Sequence, residues 1–148
     1  MTVQADGDRG SVLVLTIGLV VVLIVLVAVV VDSSKLFLSR RALASVADGA
    51  ATAAAQQVDP AAVYLGGAGA TLPLSPTGAL AAATASVQQG ASAAGLSGVT
   101  LSSVTVTATQ VDVTVTGLVQ LPLSSLVTGS SGAVLITVTA RAESAVAR

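Results

Sequence analysis

Residues 11–31 read SVLVLTIGLVVVLIVLVAVVV, 21 successive positions without a charged side chain. As a helix rising about 1.5 Å per residue the run is about 31 Å long, close to the thickness of a bilayer's hydrocarbon core. Its hydroxyl residues, Ser11 and Thr16, can bond back to their own helix backbone, so neither forbids burial in lipid. A buried core helix is the competing reading. It needs enough surrounding protein to cover every face. The chain that follows holds two aromatic side chains, Phe37 and Tyr64, and must pack mainly through Val, Leu and Ala. The run therefore reads as a membrane span, with the lipid bilayer as its partner.

Residues 1–10 form a short flank carrying Asp6, Asp8 and Arg9. A cleaved secretory signal fits poorly: the apolar run exceeds the usual h-region, acids outnumber bases in the flank, and no A-x-A site follows Val31. An uncleaved anchor is expected. Gly18 has no second Gly four residues away, so the close-packing dimer motif of membrane helices is missing.

Residues 32–57 contain no Pro, and their Ala, Leu, Arg and Gln are good helix formers. The same helix is expected to leave the membrane as one rod over residues 11–58. Leu36, Leu43, Val46, Ala47, Ala50 and Ala54 recur at spacings of three, four and seven, an apolar stripe with a small-residue half. Lys35, Arg40 and Arg41 lie one to three turns past the span, a collar within reach of headgroup phosphates. Asp59-Pro60 ends the rod and can cap a short new turn. Tyr64 then precedes Gly66-Gly67-Ala68-Gly69, a loop without the Lys of a phosphate cradle.

Ser75-Pro76 repeats the cap signature, and a second helix is expected over residues 76–94, stopped by Gly95. Its predicted inner face is Leu80, Ala83, Thr84, Val87, Ala91 and Ala94. From Val99 the apolar period changes from 3.6 to 2. Val104, Val106 and Ala108 alternate with threonines, then Val111, Val113 and Val115 do so in the opposite parity, which places a turn near Thr109-Gln110. Gly117 reads as a bend before a further alternating stretch over residues 119–124, with Pro122 at an edge or end. Residues 128–132 read as a loop, residues 134–139 as a final strand, and residues 141–148 as a fraying charged tail.

The expected fold is α+β. A long amino-terminal membrane-spanning helix continues into a small head of one further helix and a three- to four-stranded antiparallel sheet. The corresponding division is 1–10, flank; 11–58, span and extramembrane rod; 59–148, head. One valine face of the sheet should pack on the rod, leaving a Thr/Ser face outward. That face has few of the charges that usually blunt a sheet, which favours a covering partner.

Composition narrows the function. The chain has no His and no Cys, which removes the commonest general base, metal ligand and thiol nucleophile. Between Pro60 and Ala140 the only charged side chain is Asp112. No catalytic, cofactor-binding or metal-binding set can be assembled, and no small-molecule substrate is implied. A membrane enzyme would have to rest on Asp112. A net charge of −1 gives no electrostatic case for nucleic acid.

One stretch carries a resemblance. Arg9-Gly10-Ser11-Val12 leads into the span; Val31-Asp32 closes it; Leu36-Phe37-Leu38-Ser39-Arg40-Arg41 and Ala47-Asp48-Gly49-Ala50-Ala51 follow. This order and spacing resembles the amino-terminal membrane module of bacterial TadE/TadG-like proteins of the Flp (Tad) pilus-assembly system. The family-motif positions are Asp32, Arg40, Arg41 and Asp48. The resemblance implies a pilin-like or pseudopilin-like fold in a bacterial cell membrane, with the amino terminus cytoplasmic and the head extracytoplasmic. It also implies partners among other pilus or secretion-apparatus subunits, including copies of the chain itself. In TadE-type members a prepilin peptidase cuts after a Gly, and Gly10-Ser11 is the candidate bond. Counted from Ser11, the fifth residue is Leu15 where pilins usually carry Glu, so an uncut membrane-resident assembly factor stays open beside a filament subunit.

Charge counting points the other way on orientation. Lys35, Arg40 and Arg41 follow the span and Arg9 precedes it, a bias that would put the head in the cytoplasm. Two function classes remain: a non-enzymatic structural subunit or assembly factor of a Tad-type pilus or related export apparatus, and a single-pass anchored extracellular binding or adhesion module unrelated to filaments.

Overall fold

The structure is a computed structural model; it describes residues 7–66, 72–107, 109–123 and 132–144. Helix α1 (Gly7–Ala55) is one unbroken rod of 49 residues, about 73 Å long. Side chains at residues 10–27 are all exposed, and Ala28 is the first to be half covered. A core helix would be hidden by its own protein; this one presents bare Val, Leu and Ile on every side, a surface that water does not tolerate. Among the described residues it is the one helix long and apolar enough to cross a membrane.

The rod starts before the apolar run and stops at Ala55 rather than Val58. Val58 is drawn away into a bridge with Leu74, flanked by Asp59 N to Pro73 O (2.8 Å) and Ser75 N to Gln57 O (2.8 Å). Helix α2 (Pro60–Gly66) is the short turn grown to seven residues. Asp59 Oδ1 caps it, accepting from Ala61 N at 2.9 Å and Ala62 N at 3.3 Å. The head thus has one short helix more than expected. The glycines after Gly66 lie outside the described residues.

Helix α3 (Pro76–Ala93) has Ser75 as its N-cap, accepting from Gly78 N at 3.3 Å. It closes through Gly95, whose φ of +63° suits a residue without a side chain, and through Leu96 N to Ala91 O at 2.9 Å. Its buried face is Ala79, Ala83, Val87 and Ala91. The predicted face was rotated by about one position: Leu80 is 51% exposed and Ala94 is exposed. The reason is the partner. The rod presents Ala47, Ala50, Ala51 and Ala54, all without exposure, and a row of alanines on α3 lets the two helices approach closely. Gly90 extends that approach, since a Cβ there would lie 3.2 Å from Val46 Cγ2.

Strands β1 (Thr100–Val106), β2 (Gln110–Gln120) and β3 (Ala133–Glu143) form one antiparallel sheet in the order β1-β2-β3. The expected turn is present: Thr107 N donates to Gln110 O at 2.8 Å, and Thr107 Oγ1 accepts from Gln110 N at 3.2 Å. Ala108 lies outside the described residues. Val111, Val113 and Val115 are fully buried and face α1; the threonines face outward. Three departures from expectation concern the sheet. Gly117 does not bend β2 but continues its inward parity, with Leu43 of the rod 3.4 Å from where its Cβ would stand. Residues 119–120 therefore end β2 instead of beginning a fourth strand, and Pro122 follows the strand. Arg141 to Glu143 belong to β3 rather than a frayed tail, since the register sets Arg141 opposite Asp112. The fold is α+β, with α1 and α3 layered on one face of a three-stranded sheet.

Candidate functional site

The site lies where the rod leaves the membrane. Strand β2 runs toward the span: Gly117 lies beside Leu43, Leu118 to Gln120 share a crevice with Lys35 and Ser39, and Leu123 reaches Asp32. Asp32 is the first charged residue after the apolar run, yet it is only 8% exposed. Its Oδ1 accepts from Leu123 N at 3.3 Å. A carboxylate acceptor makes such a bond stronger than a neutral pair, more so at a low-dielectric boundary. Asp32 thus fastens the segment after β2 to the top of the span, across 91 positions of sequence.

The other motif residues behave differently. Arg40, Arg41 and Asp48 are exposed. At about 100° per residue, Arg41 and Asp48 are seven residues apart and share the face opposite the head, with Phe37 (67% exposed) and Leu38 (64% exposed). The expected inner stripe of Leu36, Leu43, Val46, Ala47, Ala50 and Ala54 packs against the head, joined by Ala51 and Ala55. Gly10 and Ser11 lie inside α1, with both side-chain positions exposed and no Cβ obstruction at Gly10. The structure therefore brings Asp32 to the head and leaves Arg41 and Asp48 on the opposite face, with Arg40 exposed.

Asp112 is not poised as a lone acid. It pairs with Arg141, Nε to Oδ1 at 2.7 Å, and accepts from Gln110 Nε2 at 3.2 and 3.3 Å. The hydrogen bond from Arg141 holds its carboxyl below the ordinary carboxylate range, and the same bond pushes the guanidinium up. Sequence reading missed this pair, although both residues sit at outward strand positions. It also missed the Leu123 contact, for which no sequence signal exists. Among the described residues no cluster of acidic side chains could hold a metal ion.

No curated protein and no solved structure matches the chain significantly. A family model named Tad and described as "Putative Flp pilus-assembly TadE/G-like" matches residues 10–57. That interval holds the span, Asp32, Arg40, Arg41 and Asp48, and ends where α1 gives way to the head. Over that interval, about a third of its length, the chain is similar to TadE/G-like Flp pilus-assembly proteins.

Proposed function

We propose that the chain is a non-enzymatic, pilin-like subunit or assembly factor of a Flp (Tad) pilus or related export apparatus, acting by helix packing. The matched module supports a pilus-associated role. The observation that carries the finer reading is the division of the rod: the head consumes one face, while Phe37, Leu38, Arg41 and Asp48 stand exposed on the other. Large apolar side chains next to a basic and an acidic group at a spacing of seven suit contact with a second parallel rod. Two copies offset axially by seven residues, about 10.5 Å, bring Arg41 of one against Asp48 of the next. Parallel helices pack about 8–10 Å apart, within reach of such a pair. The head is extracytoplasmic in this reading, and Gly10-Ser11 is the bond a prepilin peptidase would meet.

The test is co-isolation of the full chain with the pilus platform from its native membrane. Arg41→Glu is expected to abolish co-isolation and piliation, and Arg41→Glu with Asp48→Arg in the same chain to restore them. A chain that purifies alone, with no pilus defect on deletion, ends the proposal. Orientation is read separately from a Ser97→Cys variant, the single thiol of an otherwise cysteine-free chain. A membrane-impermeant maleimide should label it on intact cells; labelling only after lysis places the head inside. Surface labelling without pilus co-isolation would leave the anchored binding module.

A further inference from the structure

The outward face of the sheet changes character along its length. Cross-strand partners on β2 and β3 read, in register, Asp112 with Arg141, Thr114 with Thr139, Thr116 with Thr137, and Leu118 with Leu135. The first is an ion pair, and the second is joined hydroxyl to hydroxyl at 3.0 Å. The last is a bare apolar pair, Leu118 being 48% and Leu135 64% exposed. At about 3.3 Å per residue this gradient from charge through hydroxyl to hydrocarbon covers about 20 Å. It runs toward the span; beyond it come the Gln120–Ala133 pair and then Leu121, Pro122 and Leu123.

The end of the gradient meets the span directly. Among the described residues, Leu123 lines an open apolar groove of about 370 Å³ with Val20, Leu23, Ile24, Val27 and Ala28. Ala28 lies four residues below Asp32, about 6 Å nearer the bilayer centre. The residues lining the groove, Leu123 apart, belong to the apolar run of α1. Beside it, Lys35 opens onto the crevice that holds Leu118, Ser39, Ser97 and Gln120. An ammonium about one turn above the hydrocarbon boundary, next to exposed leucines, matches the order of a leaflet: acyl chain below, phosphate above.

We propose that the head is itself a lipid-binding surface: the Leu118–Leu135 pair and Leu121 to Leu123 lie in the membrane interface, held against the span by Asp32, with Lys35 at the phosphate level. The occupant is the bilayer, because Leu123 packs beside the span and, Gln120 apart, the outward pairs of the sheet lose polarity toward it. The proposal holds for either leaflet, so it does not depend on orientation or on pilus assembly.

The chain has no Trp, so a single introduced indole reports alone. The full chain would be reconstituted in phosphatidylcholine–phosphatidylglycerol vesicles as Leu135→Trp, Leu123→Trp or Leu80→Trp. Leu80 is the control, an exposed leucine on α3 against Pro76, Val104 and Val106. Leu135→Trp and Leu123→Trp should emit to the blue of Leu80→Trp, lose emission to brominated lipid and resist iodide. Leu80→Trp should respond to iodide alone. Leu135 is exposed, so its substitution leaves the core untouched should Leu123→Trp misfold. Iodide quenching of Leu135→Trp equal to that of the control overturns the proposal. So does protection from both quenchers that disappears as protein is diluted in lipid, which would assign the patch to a second copy.

Discussion

Leu43→Ala tests whether the rod and the sheet share one core. Leu43 is 2% exposed, and its two methyl carbons lie 3.4 and 3.5 Å from where a Cβ on Gly117 would stand. Removing a buried Leu side chain to Ala costs about 3 kcal/mol, from the lost transfer energy and the cavity left behind. A unit of about 100 residues is stable by about 5–15 kcal/mol, and one almost without aromatic side chains sits low in that range. The substitution therefore removes a large share of the head's stability.

The glycine makes the test specific. In the native chain Gly117→Ala is expected to be neutral to slightly stabilising, because its Cβ would meet Leu43 at ordinary van der Waals distance. In the Leu43→Ala background the added methyl enters the vacated space and recovers about 1 kcal/mol. Amide hydrogen exchange of Val111, Val113 and Val115 in micelles reads the opening of the head. Leu43→Ala should accelerate it about a hundredfold, since each 1.4 kcal/mol is about tenfold. The double variant should exchange several-fold more slowly than Leu43→Ala. Unchanged exchange in Leu43→Ala, or a double variant no slower than the single, would refute the packing of β2 on α1.

Asp32→Ala removes the acceptor of Leu123 N, worth about 1.5–3 kcal/mol for a charged partner, and should free exchange at Leu121 and Leu123 while leaving Val113 protected. Gly90→Val places a branched side chain against Val46, where a Cβ alone would already be 3.2 Å away, and should lower stability by about 1–3 kcal/mol in the same exchange assay. Gly90→Ala should cost less, because helix propensity returns about 0.8–1.0 kcal/mol. Asp112→Asn should lower the melting temperature at neutral pH, and the gap to the native chain should close in acid. The Asp112 carboxyl is depressed from 3.8, so its contribution is complete above that value and fades as pH falls through the lower folded value. The same pairing raises the Arg141 guanidinium, which stays charged throughout, so no alkaline loss is expected.

Much of the fold was legible because its signals are local. An uncharged run of 21 residues states its own length in a membrane. Ser75 before Pro76 and Gly95 after Ala94 bracket α3, and the alternation of Val with Thr marks the sheet. What stayed hidden depends on partners distant in sequence. The orientation of α3 is set by the alanines of α1, which outweigh the greater hydrophobicity of Leu80. Gly117 looks like a bend until Leu43 is seen beneath it. Asp32 reads as the polar end of a span, and nothing nearby announces Leu123 as its donor. That Asp32 meets the head while Arg41 and Asp48 stand on the other side of the rod could be seen only with the head in place.

The division of α1 explains how so weakly charged and aromatic-poor a head can be ordered. Leu43, Val46 and the alanines through Ala55 supply one layer of its core, so the valine face of the sheet is covered only when the rod is present. Span and head are then continuous through one helix, with Asp32 adding a second tie at the membrane surface. A head joined by a flexible linker could turn while its span stayed fixed; this one must tilt with its span. Any force or neighbour that reorients the apolar half of α1 moves the sheet with it, and the exposed face bearing Arg41 and Asp48 lies on that same rigid lever. The side chains that set the depth of the rod in lipid therefore also set where those two charges are presented.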